Sequence, residues 1–239
     1  CWWNSSDAGG EVIPLRGFTP DVPTTTQGIV LDCTNFIPYE AGMQAGPSAV
    51  AYADALAAEC RGAAVLTKLD GSRRVFAGSA SDMYELSGTT WSDVSRAANY
   101  SLGTDTRWSF CQFGDTSVCS SIDNVIQTST AGAFADQATA PQARIVVSAL
   151  SSGGGFVFAF NTIDATYGTR PDGWWCCALN NVTLWTPSVA SQATTGRLLG
   201  AEGAITAAIK FGSDRVVAFK ADSTYVGTYV GPPTAWAWT

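Results

Sequence analysis

Among the side chains able to do chemistry, four aspartates stand out by position. Asp82 lies in VFAGSASDMYEL (75–86), Asp123 in TSVCSSIDNVIQ (116–127), Asp164 in VFAFNTIDATYG (157–168) and Asp222 in VVAFKADSTYVG (216–227). The first three are each 41 residues apart, and the fourth follows after 58. Carboxylates in pairs supply the acid and base of glycoside hydrolysis. Trp174 and Trp175 would make an aromatic platform of the kind sugars or partner surfaces stack on. The chain has no histidine. That excludes Ser-His-Asp and Cys-His nucleophiles and every His-bearing zinc site.

The seven cysteines, at 1, 33, 60, 111, 119, 176 and 177, contain no C-x-x-C. This argues against a redox motif or a zinc knuckle. Adjacent Cys176 and Cys177 strain disulfide geometry. Buried thiols acting as small apolar side chains are the plain expectation, with one or two bridges in a secreted protein as the alternative. The reading therefore assigns no catalytic residue, metal or cofactor. Gly153-Gly154-Gly155 has no following Lys-Ser/Thr, so it reads as a hairpin turn rather than a phosphate cradle.

The elements around the aspartates repeat. Each copy is preceded by two apolar runs joined by a turn: AAVLTKL-DGS-RRVFAG (63–78), RWSFCQF-GD-TSVCSS (107–121), ARIVVSAL-SSGGG-FVFAF (143–160) and AITAAIKF-GSD-RVVAF (204–219). Asp-Gly, Gly-Asp and Gly-Ser are hairpin chemistry, because positive φ is cheap for glycine and tolerable for aspartate. The unit is strand, tight turn, strand, Asp-containing turn, strand. Aromatics at Trp91, Phe134, Trp185, Trp236 and Trp238 mark room for a fourth, outer strand.

An antiparallel unit recurring about every 41 residues predicts an all-β fold, a complete or partial β-propeller of three- to four-stranded blades. Within it, Asp82, Asp123, Asp164 and Asp222 are expected as turn residues, since an Asx side chain bonds the backbone two residues on. A β-sandwich is the alternative. Residues 1–48 are expected to form an opening segment and closing strand. Residues 49–239 are expected to form the blades, with an insertion around 171–203. Residues 49–59, rich in alanine, suit either a helix or the outer strand of the first blade.

Charge limits the partners. The net charge is −7, and no basic cluster exceeds Arg73-Arg74. Tight wrapping of nucleic acid is not expected. No apolar run approaches the ~18 residues of a membrane span.

Residues 18–48, FTPDVPTTTQGIVLDCTNFIPYEAGMQAGPS, together with YELSGTTWSDVSR (84–96), RWSFCQFGD (107–115) and YVGPP (229–233), resemble the tail hub or nozzle proteins of short-tailed bacteriophages. The resemblance implies a non-enzymatic β-propeller of the virion tail. It implies a homo-oligomeric ring, typically of six copies, docked to portal, adaptor and other tail proteins. DNA would pass through without sequence-specific binding, and no membrane would be involved. An acidic channel wall would repel phosphate and let DNA slide. Trp2, Trp3, Trp174 and Trp175 are the candidate interface residues. The alternative function is a secreted β-propeller glycoside hydrolase or lectin. A cellular partner-scaffold propeller is a further reading, although the WD dipeptide is absent.

Overall fold

The computed structural model describes residues 21–23, 25–26, 34–39, 42–46 and 50–239. The chain divides into two compact units, Cys1–Tyr52 and Ala53–Thr239. In the first, β1 (Phe36–Tyr39) pairs antiparallel with β2 (Gly42–Ala45). Trp2 and Trp3 lie outside the described residues.

The second unit is four antiparallel meanders in chain order. Blade 1 is β3 (Gly62–Thr67), β4 (Arg73–Gly78), β5 (Met83–Ser87) and β6 (Thr90–Asp93). Blade 2 is β7 (Ser109–Phe113), β8 (Thr116–Ser121), β9 (Asn124–Ser129) and the short β10 (Ala135–Asp136). Blade 3 is β11 (Gln142–Ser151), β12 (Gly154–Asp164), β13 (Gly168–Cys176) and β14 (Thr194–Arg197). Blade 4 is β15 (Ala207–Phe211), β16 (Arg215–Phe219), β17 (Thr224–Gly231) and β18 (Ala235–Trp238). The first strands β3, β7, β11 and β15 neighbour one another in that order. This puts them at the centre of the array, with each blade running outward, the arrangement of β-propeller blades. Residues 50–61 form neither the helix nor the strand expected there. They are mostly exposed and present no apolar stripe to pack, and propensity alone seldom holds a helix of that length.

Strand alternation sends successive side chains to opposite faces, so each inner blade faces two neighbours. Between blades 1 and 2 lie Phe76, Met83, Trp108, Cys119 and Phe134. Between blades 2 and 3 lie Val118, Ile126, Val157, Trp175 and Trp185. Between blades 3 and 4 lie Phe156, Phe158, Phe160, Trp174, Val216 and Trp236. The last core is rich in aromatics: Phe158 meets Trp236 edge-on at 4.7 Å and stacks with Phe160 at 5.8 Å. A buried Arg74 bridges blades 1 and 2, paired with Glu85 on its own sheet and donating to the Ser129 carbonyl at 3.2 Å.

The stretch 171–203 is not a separate insertion. Its first part, through Cys176, belongs to β13, and β14 supplies the outer strand; only residues 177–193 lie between them. The outer strand follows Trp185 rather than carrying it, and Trp185 fills the core between blades 2 and 3.

Candidate functional site

The four recurrent aspartates all mark the junction of the second and third strands of a blade, in four different blades, Asp164 as the last residue of β12. Their bonding differs. Asp164 Oδ1 accepts from the Thr166 and Tyr167 amides, both at 2.8 Å, which closes an Asx turn. In the first blade that role falls to Ser79, whose Oγ accepts from the Ser81 and Asp82 amides at 3.2 and 2.9 Å. Asp123 Oδ2 accepts from the Gly103 amide at 2.8 Å and ties down the segment linking blades 1 and 2. Asp222 lies in the turn 220–223.

Trp174 and Trp175 are not a surface platform. Each is 5% exposed, because β13 is an inner strand covered on both faces. Trp174 and Cys176 enter the core toward blade 4; Trp175 and Cys177 enter the core toward blade 2. This Trp-Trp-Cys-Cys run is a strand buried on both sides, where no polar alternation is expected. The same burial explains the thiols. Cys111, Cys119, Cys176 and Cys177 are buried and unbridged, and Cys60 is exposed. Burial pushes all four buried thiols up, Cys177 to about 12.

An alternating meander sends the first hairpin of every blade to one end of the array and the Asp turns to the other. At the hairpin end, β3, β7, β11 and β15 converge on a cavity of about 500 Å³. Each blade contributes a large side chain to its lining: Leu69, Phe113, Leu150 and Lys210. Asn180, from the long segment after β13, closes one side. Its backbone N–H donates to the Gly155 carbonyl at 2.8 Å, and its side-chain Oδ1 accepts from the Gly155 backbone N–H at 2.7 Å. The glycine run of this hairpin serves close packing: a Cβ on Gly155 would sit 2.8 Å from the Phe113 ring, and one on Gly153 2.5 Å from the Tyr229 hydroxyl.

The innermost strands are nearly free of charge. β3, β7, β11 and β15 contain no Asp or Glu, and their charged residues are Arg144 and Lys210. The carboxylates lie instead in turns and in strands farther out in the blades, such as Glu85 in β5 and Asp172 in β13.

A second cleft, of about 580 Å³, lies between blades 2 and 3 at the Asp-turn end. Thr139, Gln142, Asp164, Thr166 and Trp175 contribute to its lining, and Asp164 is its one carboxylate.

Two surfaces had no distinct signal in the sequence. On blade 4, Val216 and Ala218 face blade 3, so Ile209, Val217 and Phe219 face the other way. Ile209 and Phe211 on that face are each 57% exposed. On blade 1, Val65 is 59% exposed on the face turned from blade 2. Among the described residues, no buried core joins blades 1 and 4.

No family model and no curated protein matches the chain. Solved structures similar to it include YCF48 bound to D1 peptide, at 17% identity and TM-score 0.37, over 74% of this chain and 55% of that one. Another is BBS1N in complex with ARL6DN, at 10% identity and TM-score 0.36, over 80% of this chain and 57% of that one. The chain thus spans little more than half the length of each.

Proposed function

We propose that this chain is a non-enzymatic structural component of a short-tailed phage tail, a hub or nozzle element. It would assemble with copies of itself and dock portal, adaptor and neighbouring tail proteins around a DNA passage. The observation that carries the assembly reading is the open face of blade 4. Ile209, Phe211 and Phe219 form an apolar sheet face in the same register that buries the corresponding faces between blades 1 to 4. Contiguous exposed apolar surface of this kind marks an interaction site. The phage assignment itself rests on the sequence resemblance at 18–48, 84–96, 107–115 and 229–233. DNA would pass without being gripped, since the chain carries a net charge of −7 and no basic cluster exceeds Arg73-Arg74.

A secreted lectin is the second reading, favoured by the cleft beside Asp164. A glycoside hydrolase fits that cleft less well, because hydrolysis takes two carboxylates and the lining supplies one, already held by its turn.

Sedimentation velocity of the 239-residue chain tests the assembly reading. Wild type is expected as a multimer at micromolar concentration, and Ile209→Asp/Phe219→Asp as a folded monomer. A monomeric wild type with an unchanged double variant overturns it.

A further inference from the structure

The central cavity at the hairpin end is a built pocket without an occupant from its own blades. Leu69, Phe113 and Leu150 give it apolar walls, and Leu69 and Leu150 are exposed at its rim, 79% and 57%. Its side-chain amides are partly used. Asn180 is bonded to Gly155, and Gln112 donates to the Gly114 carbonyl at 2.8 Å while accepting from Ser117 at 3.1 Å. The charged group in the lining is Lys210, and the lining contains no carboxylate. Among the described residues the ion pairs are Arg74–Glu85, Arg96–Asp136 and Arg197–Asp172, so Lys210 is in none.

The surrounding turns depart from the chain's overall charge. Lys68, Arg73, Lys210 and Arg215 outnumber Asp70, Asp115 and Asp214 at this end, whereas the whole chain carries −7. Two of those aspartates are engaged locally: Asp115 accepts from the Leu69 amide at 2.9 Å, and Asp70 from the Ser72 amide at 2.8 Å. The opposite end carries the four repeat aspartates. The hairpin end thus combines exposed hydrocarbon with a lysine that is in no ion pair among the described residues.

We infer that the hairpin-end cavity is a docking site for a protein segment that places a large apolar side chain beside a carboxylate. The apolar side chain would enter between Leu69, Phe113 and Leu150, removing exposed hydrocarbon from water. The carboxylate would accept a charge-assisted hydrogen bond from Lys210 Nζ. This deepens the assembly reading and rests on it for the ligand being a protein; the pocket and its charge stand on geometry alone.

The probe is the acetylated, amidated peptide Gly-Leu-Phe-Gly-Asp-Gly, with its Asn counterpart in place of Asp, titrated into ¹⁵N-labelled full chain and followed by amide shifts. Saturable shifts are expected around Leu150 and Lys210, with the acidic peptide about tenfold tighter. Lys210→Gln is expected to erase that preference while leaving the neutral peptide unchanged. Leu150→Ser is expected to weaken both about tenfold. Lys68→Gln, outside the lining, is expected to change neither. Absence of saturable shifts at the cavity, or a preference that survives Lys210→Gln, overturns the inference. Sedimentation separates the two readings. A multimer that binds neither peptide sinks the docking site and leaves assembly standing, while peptide binding by a monomer does the reverse.

Discussion

Replacing Arg74 by Met tests the packing of blade 1 on blade 2. The Arg74 side chain is 7% exposed and its Glu85 partner 22%. Nε and Nη2 donate to the two Glu85 carboxylate oxygens at 2.6 and 2.7 Å. Nη1 donates to the carbonyl and hydroxyl of Ser129 at 3.2 and 3.1 Å, and Nη2 to the Gly132 carbonyl at 3.2 Å. The guanidinium also lies 4.6 Å from the Phe76 ring centre. Met fills similar volume but removes the guanidinium that pairs the Glu85 carboxylate and donates to the Ser129 carbonyl, while Gly132 keeps its 2.8 Å bond from the Ser129 hydroxyl. Breaking a buried pair from one side costs about 3–5 kcal/mol. Water reaches part of Glu85, which places this case near the lower end, about 3 kcal/mol. Urea unfolding followed by tryptophan fluorescence is expected to show a midpoint lowered by about 1 M. Arg74→Met/Glu85→Leu removes both charges and is expected to return to within about 1 kcal/mol of wild type. A single variant within about 0.5 kcal/mol of wild type would mean that Arg74 sits in water and that the two blades do not pack as described.

Two further outcomes follow from the cores. At Gly78 an added Cβ would lie 2.3 Å from Trp108 Cδ1, and the indole is fixed by its 2.8 Å bond to the Ser79 carbonyl. Gly78→Ala is therefore expected to destabilise by about 1–3 kcal/mol and to shift tryptophan emission, both read in the same urea titration. The buried thiols set a pH limit. An unfolded thiol loses its proton near pH ~8.5, whereas Cys177 in the fold holds its own to about 12. Stability is then fully present below the unfolded value and falls as pH rises toward the folded one, by about 2 kcal/mol per thiol at pH ~10. Urea midpoints at pH ~7.5 and ~10 measure this, and equal midpoints contradict it.

The blade architecture was legible because its turns are chemically marked. Asp70-Gly71, Gly114-Asp115 and Gly212-Ser213 all land in first hairpins, and the four aspartates all mark the turn that follows. Alternation was readable where one face meets polar surroundings. It failed at Trp174–Cys177, where both faces are buried and the sequence is apolar throughout. The run therefore looked like an insertion with a sticky surface when it is the most enclosed part of blade 3. The two-residue β10 is too short to leave a periodic trace. The central cavity was invisible for a different reason: its wall comes from all four blades, from Thr67 to Lys210, and no local pattern joins them.

The most direct measurement is an experimental structure of the chain in its native assembly, inspected at the outer face of blade 4. The account expects Ile209, Phe211 and Phe219 to lie under another β-sheet, packed as the three inner blade faces are. An assembly in which those three side chains stay in solvent would contradict it.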